Sequence, residues 1–396
     1  MFDIETGARM LEIEISAIFL LRAGYAVLSL AKARTEAFMC LSPLLIFNTL
    51  TILIFGIYMC SEFLFPKSSI SPAIHHQEPS EEEKFLSFQY GASGYGNQMF
   101  RLASGYAIAK KLGRTFFFSV KSRRLLQMLH NLTYAFPHTA DKFIVRMESY
   151  LEARGWTLPN TLLRIHYLAN DTPVDVPVTF ASKNSNISCW EYDDPLRLLN
   201  HSEKYLLLDT YCAQNVRFFI DIMPKIRNMF RFSEAVREKA EHRAICREIH
   251  FVNTTCVHTR QRDFVKYNRS TDMDETVEAA LQVSQRHGSE QFLIFGDDEI
   301  FKSRLAYRLR SASGTKRKKA YLSKYDEFEE MYLSSQLCTS FLISNAMSTF
   351  GWWLAFFSPN QDSVYYTNDQ RRISKPDLME GVESTDLFLS DWKKIQ

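Results

Sequence analysis

The sequence has almost no excess charge of either sign, because 47 Lys and Arg residues are balanced by 45 Asp and Glu residues. A broad nucleic-acid-binding surface needs a marked positive excess, so this class of protein is not indicated. The basic cluster Lys121 to Arg124 is interpreted as a solvated loop or helix face. Cysteines are few, with no Cys-x-x-Cys pair and no cluster of His and Cys. A structural metal site is therefore not predicted.

Charged residues are missing altogether from Ala37 to Ser61, a stretch dominated by Leu, Ile, Phe and Met. A helix of this length crosses a hydrocarbon core of about 30 Å. We therefore expect a transmembrane signal anchor at 37–65, because a cleaved signal peptide has a shorter apolar run nearer the start. Lys32 and Arg34 precede the span, and acidic residues follow it. Positive flanking charge favours the cytoplasmic side, which predicts a cytoplasmic tail at 1–36 and a lumenal domain.

The predicted tail contains a second apolar stretch at 15–31, with Arg22 near its middle. Three interpretations stay open for it: a weak second span, an amphipathic helix, or the product of an extended start site. After the anchor, residues 66–84 are rich in Ser, Pro, Glu and Gln and lack apolar periodicity. That composition is typical of an extended stem between a membrane and a folded domain.

The part of the chain beyond the anchor carries six Asn-x-Ser/Thr triplets, none with Pro in the middle. The glycosylation candidates are Asn131, Asn170, Asn186, Asn200, Asn253 and Asn268. The five cysteines in this region allow at most two bridges in an oxidising lumen. Cys256 and Cys338 lie in apolar strand or helix patterns, and we interpret them as inert core thiols.

Strand and helix patterns alternate in two parts of the chain, 85–245 and 246–396. The first part begins with strand, glycine-rich turn, helix and strand, but the stretch from Met128 to Lys204 is irregular and has no assigned elements. The second part has strand patterns separated by helix patterns throughout. Alternation of this kind predicts parallel sheets covered by helices. The expected fold class is α/β, with two Rossmann-like domains that face a cleft.

One strand pattern ends in the run from Cys256 to Phe264, with His258 and Arg260 at its carboxyl end. Ligands usually bind at the carboxyl ends of strands in α/β domains. A guanidinium forms two parallel hydrogen bonds with a phosphate or diphosphate, and His258 is able to donate or accept in the same pocket. Taken alone, the run is equally compatible with an ordinary basic junction between a strand and a loop.

Polar residues follow two further strand patterns. Asp297 and Asp298 are suited to binding a base or a sugar hydroxyl, to binding a cation, or to capping the next helix. Ser348 and Thr349 open a helix pattern, whose N-terminal N–H groups suit a phosphate. An ordinary N-cap by Ser348 is compatible with anion binding. The glycine turn at 94–97 also precedes a helix, but it lacks the third glycine of a dinucleotide-binding turn.

Four segments, in matching order, resemble the motifs of the α-1,2-fucosyltransferases, glycosyltransferase family 11. They are Gly94-Tyr95-Gly96-Asn97-Gln98-Met99-Phe100, His258-Thr259-Arg260-Gln261-Arg262-Asp263-Phe264, Phe295-Gly296-Asp297-Asp298 and Ser344-Asn345-Ala346-Met347-Ser348-Thr349-Phe350-Gly351-Trp352-Trp353. The resemblance extends from about Phe85 to the C-terminus. It implies a two-Rossmann (GT-B) fold, GDP-fucose as the donor substrate, no essential metal or other cofactor, and a single-pass type II Golgi membrane protein.

The activity that the resemblance implies is an inverting transfer of L-fucose from GDP-fucose to a glycan acceptor on a glycoprotein or glycolipid. The expected acceptor atom is galactose O2, with 85–245 on the acceptor side and 246–396 binding the donor. Arg260, Ser348 and Thr349 would stabilise the leaving diphosphate. The remaining candidates are Asp297, Asp298, Asn345 and Phe350 for donor binding, His258 and Asp263 for catalysis, and Gly94, Gly96, Asn97 and Gln98 in the N-terminal motif.

Two departures of the second motif from the family pattern His-x-Arg-Arg-Gly-Asp-Tyr change its charged residues. Gln261 stands where the family has a second arginine, and Arg262 stands where it has glycine. The loss of one charge at 261 weakens diphosphate binding, although Arg262 is placed to substitute in part from a different direction. An alternative function follows: a catalytically impaired family member that binds glycans or nucleotides in the lumen. A transferase for another sugar nucleotide is a third interpretation.

Overall fold

The computed structural model describes residues 83–89, 94–148, 161–168, 175–183, 186–187, 189–210, 213–246, 253–266, 268–312, 318–367 and 384–395. The predicted tail and anchor, and nearly all of the predicted stem, lie outside these residues. Within the ranges that the structure describes, no helix is both long and apolar enough to cross a membrane.

The first half of the described chain builds a wholly parallel six-stranded sheet. Its elements are β1 (Phe85–Phe88), α1 (Tyr95–Lys111), β2 (Thr115–Ser119), α2 (Arg123–Ala135), β3 (Ile144–Glu148), β4 (Ile165–Leu168), β5 (Val176–Thr179), the hairpin strands β6 (Ser182–Lys183) and β7 (Asn186–Ile187), β8 (Tyr205–Asp209), α3 (Met223–Met229) and α4 (Glu234–Cys246). The strand order in the sheet is β4-β3-β2-β1-β8-β5. Every neighbouring pair in it is parallel.

The second half builds another parallel six-stranded sheet. Its elements are β9 (Thr254–Thr259), α5 (Arg262–Val265), α6 (Met273–Arg286), β10 (Gln291–Gly296), α7 (Glu299–Ala312), β11 (Lys319–Leu322), α8 (Glu327–Leu337), β12 (Cys338–Ile343), α9 (Thr349–Phe357), β13 (Val364–Thr367), α10 (Ser384–Leu387) and β14 (Lys393–Ile395). The strand order is β11-β10-β9-β12-β13-β14, again with parallel pairs throughout. Two parallel α/β sheets confirm the predicted fold class.

The segment from Met128 to Lys204 is not irregular as expected, because it supplies β3, β4 and β5 to the first sheet. Its strand signals are weak for physical reasons. Pro177 interrupts β5, which is tolerated because β5 is an edge strand. Arg146 interrupts the apolar pattern of β3, yet it is buried, ion-paired with Asp175 and stacked 4.4 Å from the ring of Phe117.

Helices α1 and α9 join the two halves through one shared hydrophobic core. The indole of Trp353 donates a hydrogen bond of 3.0 Å to the carbonyl of Gly96 and lies 5.1 Å from the ring of Phe100. A Cβ at Gly96 would lie 2.8 Å from both the backbone N of Phe350 and the hydroxyl of Thr349. A side chain at position 96 would therefore push the first motif away from the last one.

Cys256 and Cys338 form a disulfide, with their Cα atoms 5.3 Å apart. The prediction that both are inert thiols was wrong. The two residues lie on the adjacent parallel strands β9 and β12, and both are fully buried. The apolar patterns placed each cysteine in a strand or helix, but they did not show that the two strands are neighbours. Cys189 is disulfide-bonded as well.

Candidate active-site cleft

A cavity of about 870 Å³ lies at the carboxyl ends of strands from both sheets. On the second sheet it follows β11, β10, β9 and β12, where its lining includes Ser323, Gly296, Asp297, His258, Arg260, Arg262, Met347, Ser348, Thr349 and Phe350. The first half contributes Gly94, Tyr95, Gly96, Asn97, Arg124, Met128, Cys189, Trp190 and Gln214. All four predicted motifs therefore meet at a single cleft, to which both halves contribute.

His258 lies near the end of β9 and is almost completely buried. Its ring packs against Gly351 of α9, where an added Cβ would come within 2.4 Å of Nδ1. Nδ1 has no hydrogen-bond partner among the described residues. Burial, together with the nearby charge of Arg260, lowers the pKa of His258 to about 3. The imidazole is therefore neutral near pH 7 and adds no positive charge to the cleft.

Arg260 lies between two carboxylates immediately after β9. Its Nη2 donates a hydrogen bond of 2.7 Å to Oδ1 of Asp263. Its Nη1 lies 3.1 Å from Oδ2 of Asp297, an ion pair without hydrogen-bond geometry. The guanidinium also lies 5.1 Å from the ring centroid of Phe264. Its orientation in the cleft is therefore fixed by acidic and aromatic neighbours.

The two departures from the family motif have different surroundings. The backbone N–H of Gln261 donates to Oδ1 of Asp297 at 2.8 Å, and its side-chain amide donates to the carbonyl of Thr271, also at 2.8 Å. Both amide groups of Gln261 are therefore already hydrogen-bonded to neighbouring loops. Arg262, at the start of α5, is exposed and lines the cleft. A guanidinium thus faces the cleft from position 262.

The adjacent carboxylates Asp297 and Asp298 are placed differently. Asp297 lines the cleft and contacts Arg260 and Gln261. Asp298 accepts a hydrogen bond of 2.7 Å from the backbone N–H of Phe301 and so caps α7. Its proposed contact with the donor stays a prediction. Among the residues that the structure describes, no group of three or more His, Cys, Asp or Glu is arranged to hold a metal ion.

The last motif shapes the loop that leads into α9. Asn345 is fully buried; its amide donates to the carbonyl of Arg269, and its Oδ1 accepts a hydrogen bond of 3.2 Å from the N–H of Met347. Ser348 caps α9 by accepting from the N–H of Gly351 at 3.3 Å. Thr349 and Phe350 border the cleft in the first turn of α9, whose N–H groups have no intrahelical acceptor.

The first motif is a junction between the two halves. Gly94 has φ = 82°, a conformation that favours glycine. Oδ1 of Asn97 accepts hydrogen bonds from the Thr349 hydroxyl at 2.9 Å and from the side-chain amide of Gln214 at 2.8 Å. Gln98 is buried outside the cleft lining. These contacts explain a glycine-rich turn that lacks the third glycine of a dinucleotide site.

Several cleft residues were missed in the sequence. Arg124, which the sequence assigned to a solvated basic face, is exposed but lines the cleft one helical turn before Met128. Their i, i+4 spacing on α2 was the available signal. Glu330 also lines the cleft; burial raises its pKa to about 8 despite a hydrogen bond from Ser323 and the charge of Lys302. It resembled one more acidic residue in the first turn of α8.

The glycosylation candidates separate into two groups. Asn200 and Asn268 are exposed. The amide of Asn131 donates to the hydroxyl of Tyr95 at 2.9 Å, and that of Asn253 donates to the carbonyl of His287 at 2.6 Å. Asn170 and the side chain of Asn186 lie outside the described residues. Among the described residues, no hydrogen bond ties the side-chain amides of this exposed pair to other parts of the fold.

No protein-family model matches the sequence. Curated relatives are found in Caenorhabditis elegans. A galactoside 2-alpha-L-fucosyltransferase is 26% identical over 312 residues, which cover 76% of this chain and 77% of that protein. A putative galactoside 2-alpha-L-fucosyltransferase, svh-11, is 25% identical over 322 residues, with 79% of each chain covered. A putative glycosyltransferase, C06E1.7, is 23% identical over 344 residues, covering 81% of this chain and 84% of that protein.

Solved structures show a weaker likeness. POFUT1 in complex with GDP-fucose gives a TM-score of 0.44 at 13% identity, covering 73% of this chain and 99% of that one. The fucosyltransferase NodZ from Bradyrhizobium gives 0.43 at 12% identity, covering 70% and 94%. TM-scores this low do not establish a shared fold. The likeness to the α-1,2-fucosyltransferases depends instead on the curated relatives and on the four motifs that meet in the cleft. The chain fits the α-1,2-fucosyltransferase family.

Proposed function

We propose that the protein transfers L-fucose from GDP-fucose to galactose O2 of a glycan acceptor, with inversion at the fucose C1 atom. One observation carries this proposal. Residues from four segments far apart in the sequence line one cleft between two parallel α/β sheets. Relatives that match most of the chain bear the name galactoside 2-alpha-L-fucosyltransferase. The second half would bind the donor, and the first half, with Trp190 and Arg124 at the cleft, would bind the acceptor.

The chemistry requires charge stabilisation at the leaving group. When an acceptor hydroxyl displaces GDP, negative charge builds on the diphosphate in an oxocarbenium-like transition state. Arg260 and the N–H groups that open α9 border the same cleft and would meet this charge. We propose that the reaction needs no essential metal ion, and that Asp297, Asp298 and Asn345 fix the donor directly or through their loops.

The candidates for proton transfer differ in their suitability. His258 is neutral, but a pKa of about 3 makes its imidazole a weak base. Asp263 is exposed and accepts a hydrogen bond from Arg260. It is the better placed of the two to take a proton from an acceptor hydroxyl. Asp263→Asn should therefore lower kcat by a larger factor than it changes the KM for the donor. If the role of Asp263 were purely structural, a loss of stability would change both constants.

The function is tested by incubating the purified protein with GDP-fucose and a panel of β-galactosides. Product linkage is read by mass spectrometry and NMR, and we expect α-1,2-linked fucose. Arg260→Ala should abolish transfer while leaving the circular dichroism spectrum unchanged. Transfer at the wild-type rate in that variant would exclude Arg260 from the reaction. Absence of both transfer and GDP binding in the wild type would refute the proposal.

A second candidate function is a catalytically impaired protein that binds nucleotides or glycans. It is favoured by Gln261, which lacks the charge of the family's second arginine, and by the two carboxylates that already contact Arg260. The same assay separates the two functions. GDP binding without transfer to any acceptor would support this second function, as would binding of a glycan without turnover.

The proposed location is the Golgi membrane, with a single type II anchor at 37–65 and a lumenal catalytic domain. Disulfides at Cys256–Cys338 and at Cys189 support an oxidising compartment. The exposed sequons at Asn200 and Asn268 are compatible with it. The test is expression in animal cells, followed by carbonate extraction and protease protection of intact membranes. Digestion of the catalytic domain without detergent would contradict the proposed orientation.

A further inference from the structure

The charges at the end of β9 do not favour an incoming diphosphate. The single positive charge of Arg260 is met by the two carboxylates of Asp263 and Asp297, at 2.7 Å and 3.1 Å. His258 is buried and neutral, so it adds nothing. These four side chains together carry a net negative charge. A donor with two phosphates needs at least one further cation at this position.

Gln261 cannot supply that cation, and its amide is bonded to the carbonyl of Thr271. Lys302 lines the cleft but is buried, donates to the carbonyl of Ser323 at 2.6 Å and pairs with Glu299 at 2.7 Å. The ammonium charge of Lys302 is therefore already balanced by Glu299. Arg124 and Lys324 line other walls, on α2 and after β11. Arg269 lines the cleft beyond α5, where its backbone is hydrogen-bonded to Phe264 and Asn345.

Arg262 differs from these residues in its position. It follows Arg260 by two positions, at the start of α5 beside the strand end. Like Arg124 and Lys324, it is exposed and lines the cleft. Within the described part of the chain, no hydrogen bond or ion pair involves its guanidinium. Its charge is thus available where the charge of Arg260 is already balanced.

We propose that Arg262 forms the charge-assisted contact with the diphosphate of the donor, in place of the arginine that Gln261 has replaced. This inference rests on the proposed function, since it names the residue that would hold the leaving group. The glycine that the family has at position 262 lacks a side chain. The two departures from the motif therefore form one relocation, in which a guanidinium moves by one residue and approaches the same ligand from α5.

The test compares GDP with guanosine on four forms of the chain by isothermal titration or saturation-transfer NMR. The forms are the wild type, Arg262→Ala, Arg262→Lys and Arg304→Ala, a matched control on an exposed arginine of α7 outside the cleft lining. Arg262→Ala should weaken GDP binding by about tenfold to a hundredfold, as expected for a charged hydrogen-bonding partner. Guanosine binding should be unchanged, which also shows that the variant is folded.

The other forms sharpen the result. Arg262→Lys should recover part of the GDP affinity, because lysine keeps the positive charge but cannot donate the two parallel hydrogen bonds of a guanidinium. Arg304→Ala should match the wild type for both ligands. Wild-type GDP affinity in Arg262→Ala overturns the inference while leaving the proposed function intact. An equal loss for guanosine also overturns it, because the residue then acts through the fold. If the wild type binds no GDP, the proposed function and the inference fail together.

Discussion

Oδ1 of Asn97 accepts a hydrogen bond of 2.9 Å from the hydroxyl of Thr349, 252 residues further along the chain. The same oxygen accepts from Gln214. Asn97→Ala and Thr349→Val should each reduce the free energy of unfolding by about 0.5–1.5 kcal/mol. The double variant should lose less than the sum, because both changes remove one contact. Urea unfolding measures the coupling. Full additivity would show that the bond is unimportant, and Thr349→Val combined with Arg304→Ala is the additive control.

Gly351→Ala should damage the site by displacing His258, since the added Cβ would lie 2.4 Å from Nδ1. Overpacking of this kind costs about 1–3 kcal/mol, and we expect weaker GDP binding as well. Gly105→Ala is the control: its Cβ would meet the ring of Phe116 at 2.3 Å, in the core of the first half. Both variants should lower Tm. Unchanged GDP affinity in Gly351→Ala would separate the His258 ring from donor binding.

The pKa of Glu330 predicts a specific dependence of stability on pH. Its value of about 8 in the folded chain lies above the ordinary value of about 4.3. The folded chain therefore holds a proton that the unfolded chain releases in this window, and stability falls as pH rises towards 8. Histidines with lowered pKa, such as His258, act only below about pH 6.5. Between pH 6.5 and 8, Glu330→Gln should flatten the fall in the urea midpoint. An unchanged slope would contradict the buried neutral carboxyl.

Removal of the Cys256–Cys338 bridge should destabilise the protein by about 2–5 kcal/mol. The double change to Ala is preferable to added reductant, because Cys189 is also in a disulfide. Thiol alkylation before and after unfolding, read by mass spectrometry, should label neither residue in the oxidised wild type. Labelling of Cys256 after unfolding without reductant would show that the bridge is absent.

Glycan occupancy should follow the exposure of each asparagine amide. Expression through a secretory pathway should yield N-glycans at Asn200 and Asn268 and none at Asn131 or Asn253, whose amides are bonded to Tyr95 and His287. Enzymatic release of the glycans in water labelled with heavy oxygen converts each glycosylated Asn to a labelled Asp. Peptide mapping by mass spectrometry then measures the occupancy of each site. Full occupancy at Asn131 would contradict its bond to Tyr95.

The sequence predicted the fold well wherever a pattern was local. The start of the helix Thr349–Phe357 was predicted correctly, because Ser348 caps it and an unbroken apolar run follows. Strand β3 could not be predicted from the local pattern, because Arg146 is compatible with a buried strand only beside Asp175 and Phe117. The disulfide could not be predicted either, because its prediction requires the order of the strands in the sheet.

The site was predicted as a set of residues, and the structure changes their expected contacts. The structure places Arg260, Asp297 and Ser348, each of which follows a strand, at one cleft, and their roles there stay a prediction. Their partners depend on distant segments that no local pattern encodes. Asp298 caps a helix, which was one of its predicted interpretations, and the Thr349 hydroxyl faces Asn97. Arg124 and Glu330 were missed because a charged residue on a helix gives no sign of which way that helix faces.

The aromatic junction between α1 and α9 has a consequence for how the protein moves. Trp353 lies 5.1 Å from Phe100 and 4.9 Å from Phe230, so rings from both halves interlock beneath the cleft. A hinge motion that opens the two halves would expose these rings to water, at a cost of several kcal/mol per buried ring. We therefore expect the mouth of the cleft to keep a constant width. Exchange of nucleotide for fresh donor would then be gated by loop motion, and half-molecule fragments expressed separately should not fold.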